Sequence, residues 1–539
     1  MSYGNNKLIN DALNRSYALI DHNIRNDAQK VYEFRKQALL NDESLTDNEK
    51  SEAIGIITKT YDLNKLTFNK GTKRICENCN QECLATTYCE HCIRNHLKSK
   101  FSNWSSGNDN VDKLIQDCQM KTLIPNAIPE WIPYNNLKNI KYLTKGGCSK
   151  IYTANWIDGS YEEWNSNDQQ LKRFGTHNVV LKKLKNVGNA NQNWLEEAKS
   201  YLNISNKWTN IVQCFGLTRN PSNGNYMLVM NMMDIDLRRY LQQNHNQLTW
   251  KERIEIITDI IKALERIHYE NVIHRNLHSG NVLFTTGEKF YISDLGFCGP
   301  ADKPLKSIYG NLPYIAPEVI VGKEQTFKSD IYFIAMLMWE ISSGQPPFVG
   351  YKHDYHIAMN IVNGIRPKIV PGTPLEYKNL MKQCWDADPS KRPDIKTLIN
   401  SIDKLNLSYQ TKSNESSRLE ENNNLEIETY SGNSKLFTSK LHRFDNLPEP
   451  RNATEDEQEA FHNDFHIPNN SSKKNNISKI FKVSGKKISK IFKRSSKNDI
   501  QNNYKIEPMQ QQTMNLHIKD NDEGEMYNNP NLRSFRRIR

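Results

Sequence analysis

Between residues 139 and 403 the sequence alternates short apolar runs with longer amphipathic segments, and the short runs come first. Short apolar runs are typical of β-strands, and longer segments with apolar residues every three to four positions are typical of helices. This order predicts an α+β domain in which the strands precede most of the helices.

A pair of glycines lies between the first two predicted strands, residues 140–143 and 151–154. Gly146 and Gly147 allow backbone N–H groups to approach a phosphate, because no Cβ stands in the way. We interpret this turn as a phosphate-binding loop that places Ile151 beside the nucleotide. Considered alone, the turn is better explained as a plain surface hairpin, because Thr144 and Ser149 stand where a full glycine-rich phosphate loop would have glycine.

Charged and amide side chains follow in an order that suits a nucleotide with a metal ion. Lys182 ends a predicted strand and would bring a positive charge to the phosphates, and Glu197 on the next predicted helix would hold that lysine in place. Asp294 follows an apolar run, and Asn281 precedes it by 13 residues. Carboxylate and amide oxygens are ligands for Mg²⁺ or Mn²⁺, so these residues predict a site for ATP with a divalent cation.

Taken together, the motifs resemble a protein-kinase domain, nearest the tyrosine-kinase-like serine/threonine group. The matching motifs cover about half of the chain and are His274-Arg275-Asn276-Leu277-His278-Ser279-Gly280-Asn281, Asp294-Leu295-Gly296, Ala316-Pro317-Glu318, Ser329-Asp330 and Lys391-Arg392-Pro393. The resemblance implies a small β-rich N-lobe, a large helical C-lobe and transfer of phosphate from ATP to a protein hydroxyl. It also implies a hinge from Met230 to Met232, an ion pair between Glu318 and Arg392, and an anchoring role for Asp330.

One residue departs from the family pattern at the catalytic position. Asn276 stands where active kinases have the aspartate that accepts the substrate proton, and asparagine cannot take up a proton. Loss of a general base lowers the rate by about 10²–10⁴-fold. His278 stands where many serine/threonine kinases have a lysine, and histidine is mostly neutral near pH 7. The sequence is therefore compatible with a slow kinase and with a pseudokinase that binds ATP and docks partners.

The resemblance places an activation loop at residues 301–311. Ser307 and Tyr309 lie within it, and Arg275 is present to pair with a phosphate there. We therefore expect phosphorylation of one of these two residues to order the loop. The residues that follow match neither the serine/threonine nor the tyrosine pattern, so the acceptor type stays open.

Five cysteines lie within 17 residues, between positions 76 and 92. Cys76 and Cys79 form one C-x-x-C pair, and Cys89 and Cys92 form another. Two such pairs can complete a tetrahedral Zn²⁺ site. Cys83, His91 and His96 lie nearby and leave the ligand set ambiguous, and a group of free or redox-active thiols is the alternative.

The C-terminal part of the chain is rich in Asn, Ser, Glu and Lys, and residues 407–539 are predicted to form a largely disordered basic tail. Residues 473–497 contain ten Lys or Arg residues and no acidic residue, against a net charge of +11 for the whole chain. An Ile-Ser-Lys-Ile-Phe-Lys segment recurs there after eleven residues, which keeps its apolar residues on one helical face. This stretch suits an anionic membrane surface or an acidic partner, or it is simply a solvated basic tail.

The remaining boundaries follow from composition. Residues 1–70 have a helical pattern with a capping-box signature at Thr46 and Glu49, and residues 71–100 form the cysteine-rich module. No stretch is long and apolar enough for a membrane span. We therefore expect a cytoplasmic protein, with the basic tail leaving a nuclear location open, and with an unknown protein substrate or binding partner.

Overall fold

The structure of the chain, a computed structural model, describes residues 3–21, 23–24, 27–145, 149–184, 193–285, 289–297, 299–300, 308–351, 353–412 and 439–463. All of these residues belong to one unit of the fold, Met1–His466. In this described part, no helix has both the length and the apolar character needed to cross a membrane.

The N-terminal region is helical, as predicted. Its helices are α1 (Tyr3–Ala18), α2 (Ala28–Leu40) and α3 (Asp47–Phe68). The capping box predicted at α3 is present: the side chain of Thr46 accepts from the backbone N–H of Glu49, and the Glu49 carboxylate accepts from the N–H of Thr46. This pairing satisfies N–H groups that the first helical turn leaves open.

The cysteine-rich module of residues 71–100 and the helix that follows it form a small hairpin and two helices, and we call residues 71–121 the cysteine-rich region. Its elements are β1 (Arg74–Ile75), β2 (Glu82–Cys83), α4 (Glu90–Ser99) and α5 (Asp109–Lys121). Asp62 of α3 is fully buried and accepts from the backbone N–H and the hydroxyl of Thr86 at 2.8 and 2.6 Å. These bonds join the helical region to the cysteine-rich region.

The next region is dominated by strands. Its elements are β3 (Glu130–Trp131), β4 (Leu137–Lys145), β5 (Lys150–Trp156), β6 (Tyr161–Asn165), β7 (Gln170–Arg173), β8 (His177–Lys183), α6 (Asn193–Ile204), β9 (Cys214–Arg219) and β10 (Tyr226–Asn231). Six strands form one sheet in the order β3-β9-β10-β8-β5-β4, and β6 and β7 form a separate hairpin. Gly216 permits the close approach of β3 to β9, because a Cβ there would lie 1.9 Å from the carbonyl oxygen of Glu130.

Helix α5 of the cysteine-rich region packs against α6. Val111 and Ile115 of α5 share a buried core with Ala198 and neighbouring residues of α6. The Cys118 thiol also donates to the side-chain oxygen of Asn203, with a sulfur-to-oxygen distance of 3.4 Å. The cysteine-rich region therefore braces the helix that carries Glu197.

The C-lobe is mainly helical. Its elements are β11 (Ile235–Asp236), α7 (Leu237–Asn244), α8 (Trp250–Tyr269), β12 (Val272–Ile273), β13 (Val282–Thr285), β14 (Lys289–Ile292), β15 (Gly299–Pro300), β16 (Ile308–Gly310), α9 (Pro317–Ile320), α10 (Phe327–Ser343), α11 (Tyr355–Val362), α12 (Leu375–Cys384) and α13 (Ile395–Lys412). Every residue of α10 from Ser329 onward is buried, so α10 is the central helix of this lobe. The β-rich part followed by the helical part matches the two-lobed fold that the sequence predicts.

Residues 439–463 form ordered structure within the region predicted to be largely disordered. They contain β17 (Lys440–His442) and α14 (Glu455–Asn463), and β17 pairs antiparallel with β16. Phe444, Leu447, Ala453 and Phe461 are partly buried against the C-lobe core. A few apolar side chains and a backbone ladder supplied by the lobe order this segment, which its polar composition does not reveal. Helix α13 likewise continues to Lys412, beyond the predicted domain boundary at residue 403.

Candidate functional site

Lys182 is buried, with 8% of its surface exposed. It is on β8, opposite Ile151 of β5 and Leu228 of β10. Its Nζ lies 3.2 Å from Oε1 of Glu197 and also contacts the carboxylate of Asp294. Burial lowers the pKa of Lys182, but the negative charges around it outweigh burial, so its pKa is raised well above the usual value and the side chain stays protonated.

Glu197 and Asp294, the two carboxylates that contact Lys182, lie on different elements of the fold. Glu197 projects from α6, and Asp294 follows β14 in a left-handed backbone conformation with φ of 58°. Burial raises the pKa of Asp294, but the charge of Lys182 outweighs this effect and the net pKa is lowered. The lack of a side chain at Gly296 leaves room for the carboxylate of Glu197, because a Cβ at that glycine would lie 2.7 Å from Oε1 of Glu197.

The loop that carries Asn276 is held by buried hydrogen bonds. Asp330, fully buried on α10, accepts from the backbone N–H groups of His274 and Arg275 at 2.8 and 3.0 Å. Arg275 has a positive φ of 69°, which the two bonds to Asp330 stabilise. The side-chain amide of Asn281 donates to the backbone carbonyl of Asn276 at 2.8 Å. The anchoring role implied for Asp330 is therefore present in the structure.

His278 is buried and neutral at physiological pH. Its Nδ1 accepts from the backbone N–H of Gly280 at 3.1 Å, so its Nε2 carries the proton. Burial, with the charge of Arg238 acting in the same direction, lowers the pKa of His278 to about 3. This position therefore supplies a hydrogen-bond donor and no positive charge.

The remaining predicted nucleotide residues are partly described. Met230 is buried on β10 and Met232 is exposed just after it. Gly146 and Gly147 lie outside the described residues, so the predicted phosphate loop stays a prediction.

The ion pair implied between Glu318 and Arg392 is present. The Arg392 guanidinium donates two hydrogen bonds of 2.7 Å to the Glu318 carboxylate, and both side chains are buried. This pair joins α9, which follows the predicted activation loop, to the connection between α12 and α13. Of the two predicted phosphorylation positions, Ser307 lies outside the described residues and Tyr309 lies on β16.

A residue that sequence reasoning missed lies at the catalytic position. The Ser439 hydroxyl donates to Oδ1 of Asn276 at 3.0 Å, and Nε2 of His278 lies 3.0 Å from the same hydroxyl. Ser439 is 163 residues from Asn276 in the chain and is buried. No motif marks this serine, so only the fold identifies it.

In the cysteine-rich region, four thiols converge. The sulfur atoms of Cys76, Cys79, Cys89 and Cys92 all lie within 4.8 Å of one another. The distance is 3.7 Å from Cys76 to Cys92 and 3.6 Å from Cys79 to Cys89. A tetrahedral ion with Zn–S bonds of about 2.3 Å requires sulfur atoms about 3.8 Å apart, so these four thiols fit Zn²⁺. Backbone hydrogen bonds lower the pKa of Cys76 to about 7, whereas burial raises the pKa of Cys89 and of Cys92.

The other nearby candidates lie outside this group. Cys83 is buried, and burial raises its pKa. Nε2 of His91 lies 3.1 Å from the carbonyl oxygen of Glu82. The ring of His96 packs edge-on against Trp164 with the centroids 5.4 Å apart. The geometry therefore favours the two C-x-x-C pairs over a set that includes these residues.

Comparison with known proteins agrees with this geometry. Residues 137–402 match the family model described as protein tyrosine and serine/threonine kinase. The chain is 25% identical over 283 residues to a probable serine/threonine-protein kinase of Dictyostelium discoideum, a match that covers 51% of this chain and 20% of that protein. It is 30% identical over 196 residues to the dual specificity protein kinase zakA of the same organism, covering 33% of this chain and 25% of zakA.

A human relative gives a similar match. The chain is 33% identical over 171 residues to the human dual serine/threonine and tyrosine protein kinase, covering 31% of this chain and 18% of that protein. The chain thus spans no more than a quarter of the length of these three curated relatives. The two-lobed fold, the Lys182–Glu197–Asp294 cluster and the family match together show that residues 137–402 of this chain are a protein kinase domain.

Proposed function

We propose that the kinase domain binds ATP with Mg²⁺ (or Mn²⁺) and transfers the γ-phosphate slowly to a serine or threonine hydroxyl of a protein. The observation that carries this proposal is the contact of Lys182 with both Glu197 and Asp294. That arrangement presents the lysine to the phosphates of ATP, while Asn281 and Asp294 would hold the metal ion that neutralises phosphate charge. The printed names of the relatives, serine/threonine and dual-specificity kinases, support a hydroxyl acceptor.

Asn276 makes this transfer slow. Its amide accepts a hydrogen bond from an acceptor hydroxyl but takes up no proton, and His278 adds no positive charge. Phosphoryl transfer goes through a loose transition state in which positioning and charge neutralisation supply most of the catalysis. Because the groups for those two tasks are in place, we infer a reduced rate and not a complete loss.

The test compares nucleotide binding with phosphate transfer in the full chain. Lys182→Ala should abolish transfer and weaken ATP binding, whereas Lys183→Ala, its neighbour on the same strand, should leave both unchanged. Asn276→Asp should raise the rate. If the unmodified chain and Asn276→Asp both bind ATP and neither transfers phosphate, the protein is a pseudokinase that acts through nucleotide binding and partner docking.

We also propose that Cys76, Cys79, Cys89 and Cys92 bind one structural Zn²⁺ ion. The support is the convergence of the four thiols at separations suited to a tetrahedral ion. The segment is too small to bury a large core of its own, so the ion would supply much of its folding free energy. The folded segment would in turn brace α6 through α5.

Metal analysis of the purified full chain tests this site. We expect about one equivalent of Zn²⁺ per chain, lost on changing Cys76 and Cys89 to serine. Cys83→Ala is the matched control, because that thiol lies nearby but outside the group of four. A metal-free protein that folds normally would rule out the site.

The partner of the basic tail stays a prediction. Residues 473–497 lie outside the described residues. We propose that they bind an anionic membrane surface or an acidic partner, on the basis of ten basic residues with an apolar helical face. Failure of the full chain to bind anionic vesicles at low salt would remove the membrane version. The cytoplasmic or nuclear location also stays a prediction.

A further inference from the structure

The segment 439–463 begins beside the residue at the catalytic position and continues along the strand β16. Its first residue, Ser439, lies at Asn276, the position of the catalytic base in the family. The next three residues form β17 and pair with β16, which lies within the predicted activation loop. Gly310 is opposite Lys440, and Ile308 is opposite His442. Addition of an extended strand to a sheet edge is a common way to bind a peptide.

Side chains secure this strand at its ends. Nε2 of His442 lies 3.0 Å from the carbonyl oxygen of Gly310, and Nζ of Lys440 donates to the carbonyl oxygen of His353 at 3.3 Å. The hydroxyl of Tyr309 donates to the carbonyl oxygen of Ser439 at 3.4 Å. These contacts determine the register of the strand, and the register places a serine at Asn276.

The rest of the segment is anchored on the C-lobe. Gln458 of α14 donates to the carbonyl oxygen of Gly364 at 2.8 Å and accepts from the N–H of Arg366 at 3.1 Å. The chain passes so close to Gly364 that a Cβ there would lie 2.1 Å from the backbone nitrogen of Ala453. The ring of Phe461 stacks on Tyr351 with the centroids 5.4 Å apart.

The Ser439 hydroxyl accepts a hydrogen bond from His278 and donates one to Asn276. Because Nδ1 of His278 accepts from Gly280, its Nε2–H donates to the Ser439 oxygen. The serine hydroxyl donates its own proton to Oδ1 of Asn276. A hydroxyl oxygen has two lone pairs, so one remains for a phosphorus atom.

We propose that Ser439 is a phosphorylation site that the kinase domain of the same chain modifies in cis, an inference that rests on the proposed function. A bond forms between Ser439 Oγ and the γ-phosphorus of ATP, and the bond from that phosphorus to the bridging oxygen breaks to release ADP. The hydroxyl proton passes to an oxygen of the transferred phosphoryl group. Neither Asn276 nor the protonated Nε2 of His278 accepts it.

Docking in cis compensates for the slow chemistry. A freely diffusing peptide dissociates before a step slowed by the missing base is completed, whereas a tethered segment rebinds at an effective concentration in about the millimolar range. The anchors on α14 extend the time that the serine spends at the site. While Ser439 occupies the position beside Asn276, the hydroxyl of another substrate cannot occupy it.

The experiment follows phosphate on the dephosphorylated full chain with Mg²⁺ and ATP. We expect phosphate on Ser439 by mass spectrometry, with a first-order rate constant that does not change with protein concentration. Ser439→Ala should lose this phosphate, and Ser401→Ala, a serine on α13, should retain it. Phe461→Ala should slow labelling of Ser439 without slowing transfer to a generic peptide.

Mixing separates cis from trans transfer. When an active chain is mixed with a tagged Lys182→Ala chain, Ser439 of the inactive chain should stay unmodified, and its labelling would overturn transfer in cis. Phosphate on other residues or on the peptide, with Ser439 unmodified, would overturn this inference and leave the proposed kinase function intact. No transfer to any acceptor, even by Asn276→Asp, would overturn both.

Discussion

Replacement of Asn276 by aspartate should raise the rate of phosphoryl transfer by about 10²–10⁴-fold. Aspartate is nearly isosteric with asparagine and can take up the proton of the acceptor hydroxyl. Oδ1 of Asn276 already accepts from a serine hydroxyl at 3.0 Å, so a carboxylate oxygen in the same place starts at hydrogen-bond distance from the proton. The factor corresponds to a barrier lower by about 3–5.5 kcal/mol.

The surroundings of Asn276 place the expected gain near the lower end of that range. The residue is only 1% exposed, and burial raises the pKa of a carboxyl group and disfavours its charged form. The neighbouring His278 is neutral, because its pKa is lowered to about 3, and it adds no compensating charge. The rate of the variant should therefore fall at acidic pH, as the introduced carboxylate becomes protonated.

Initial rates of the full chain at saturating ATP, measured on Ser439 and on a generic peptide, provide the assay. Asn276→Ala is the control, since it removes the hydrogen-bond acceptor without adding a base and should not raise the rate. If Asn276→Asp binds ATP normally and transfers phosphate no faster than the unmodified chain, the missing base is not what limits phosphate transfer, and our reasoning from Asn276 is wrong.

Three further predictions concern the residues that support the site. Arg392→Leu should lower the free energy of unfolding by about 3–5 kcal/mol in urea titrations, because it leaves Glu318 buried and unpaired. Gly296→Ala should weaken ATP binding by about tenfold, or about 1.4 kcal/mol, in calorimetry, because the new Cβ displaces the carboxylate of Glu197. His278→Gln should flatten the acid dependence of stability: the folded state holds His278 neutral down to pH about 3, whereas the unfolded state binds a proton below about pH 6.5. The unmodified protein should therefore lose up to about 1.4 kcal/mol per pH unit from this group as the pH falls through that window.

The first two of these predictions have a matched control. Lys391→Ala changes an exposed neighbour of the buried arginine and should leave stability nearly unchanged. Gly55→Ala introduces a Cβ into open space and should leave ATP binding intact. Equal effects of a variant and its control would contradict the contact in question. Parallel stability curves for the unmodified chain and His278→Gln between pH 6.5 and 3 would show that the histidine does not titrate as described.

The sequence alone was sufficient to predict the kinase fold, because its signal is local. Lys182 ends an apolar run, and Asp294 and Asn281 lie beside other short apolar runs, so each residue type and its spacing are visible without the fold. The capping box of Thr46 and Glu49 is likewise a pattern of residues three positions apart. Asn276 is also recognisable from the sequence, because it departs from the family pattern at the catalytic position.

Only the tertiary structure revealed the long-range contacts that no sequence motif marks. It separated the four converging thiols from Cys83, because the positions of sulfur atoms depend on how the hairpin and α4 meet. It revealed that α5 packs on α6, and that Ser439 lies at Asn276. Ser439 lies in a polar stretch without periodicity, and its order comes from backbone pairing with β16 and from anchors on the C-lobe. Partners supplied by another part of the fold leave no local pattern in the sequence of the segment that binds them.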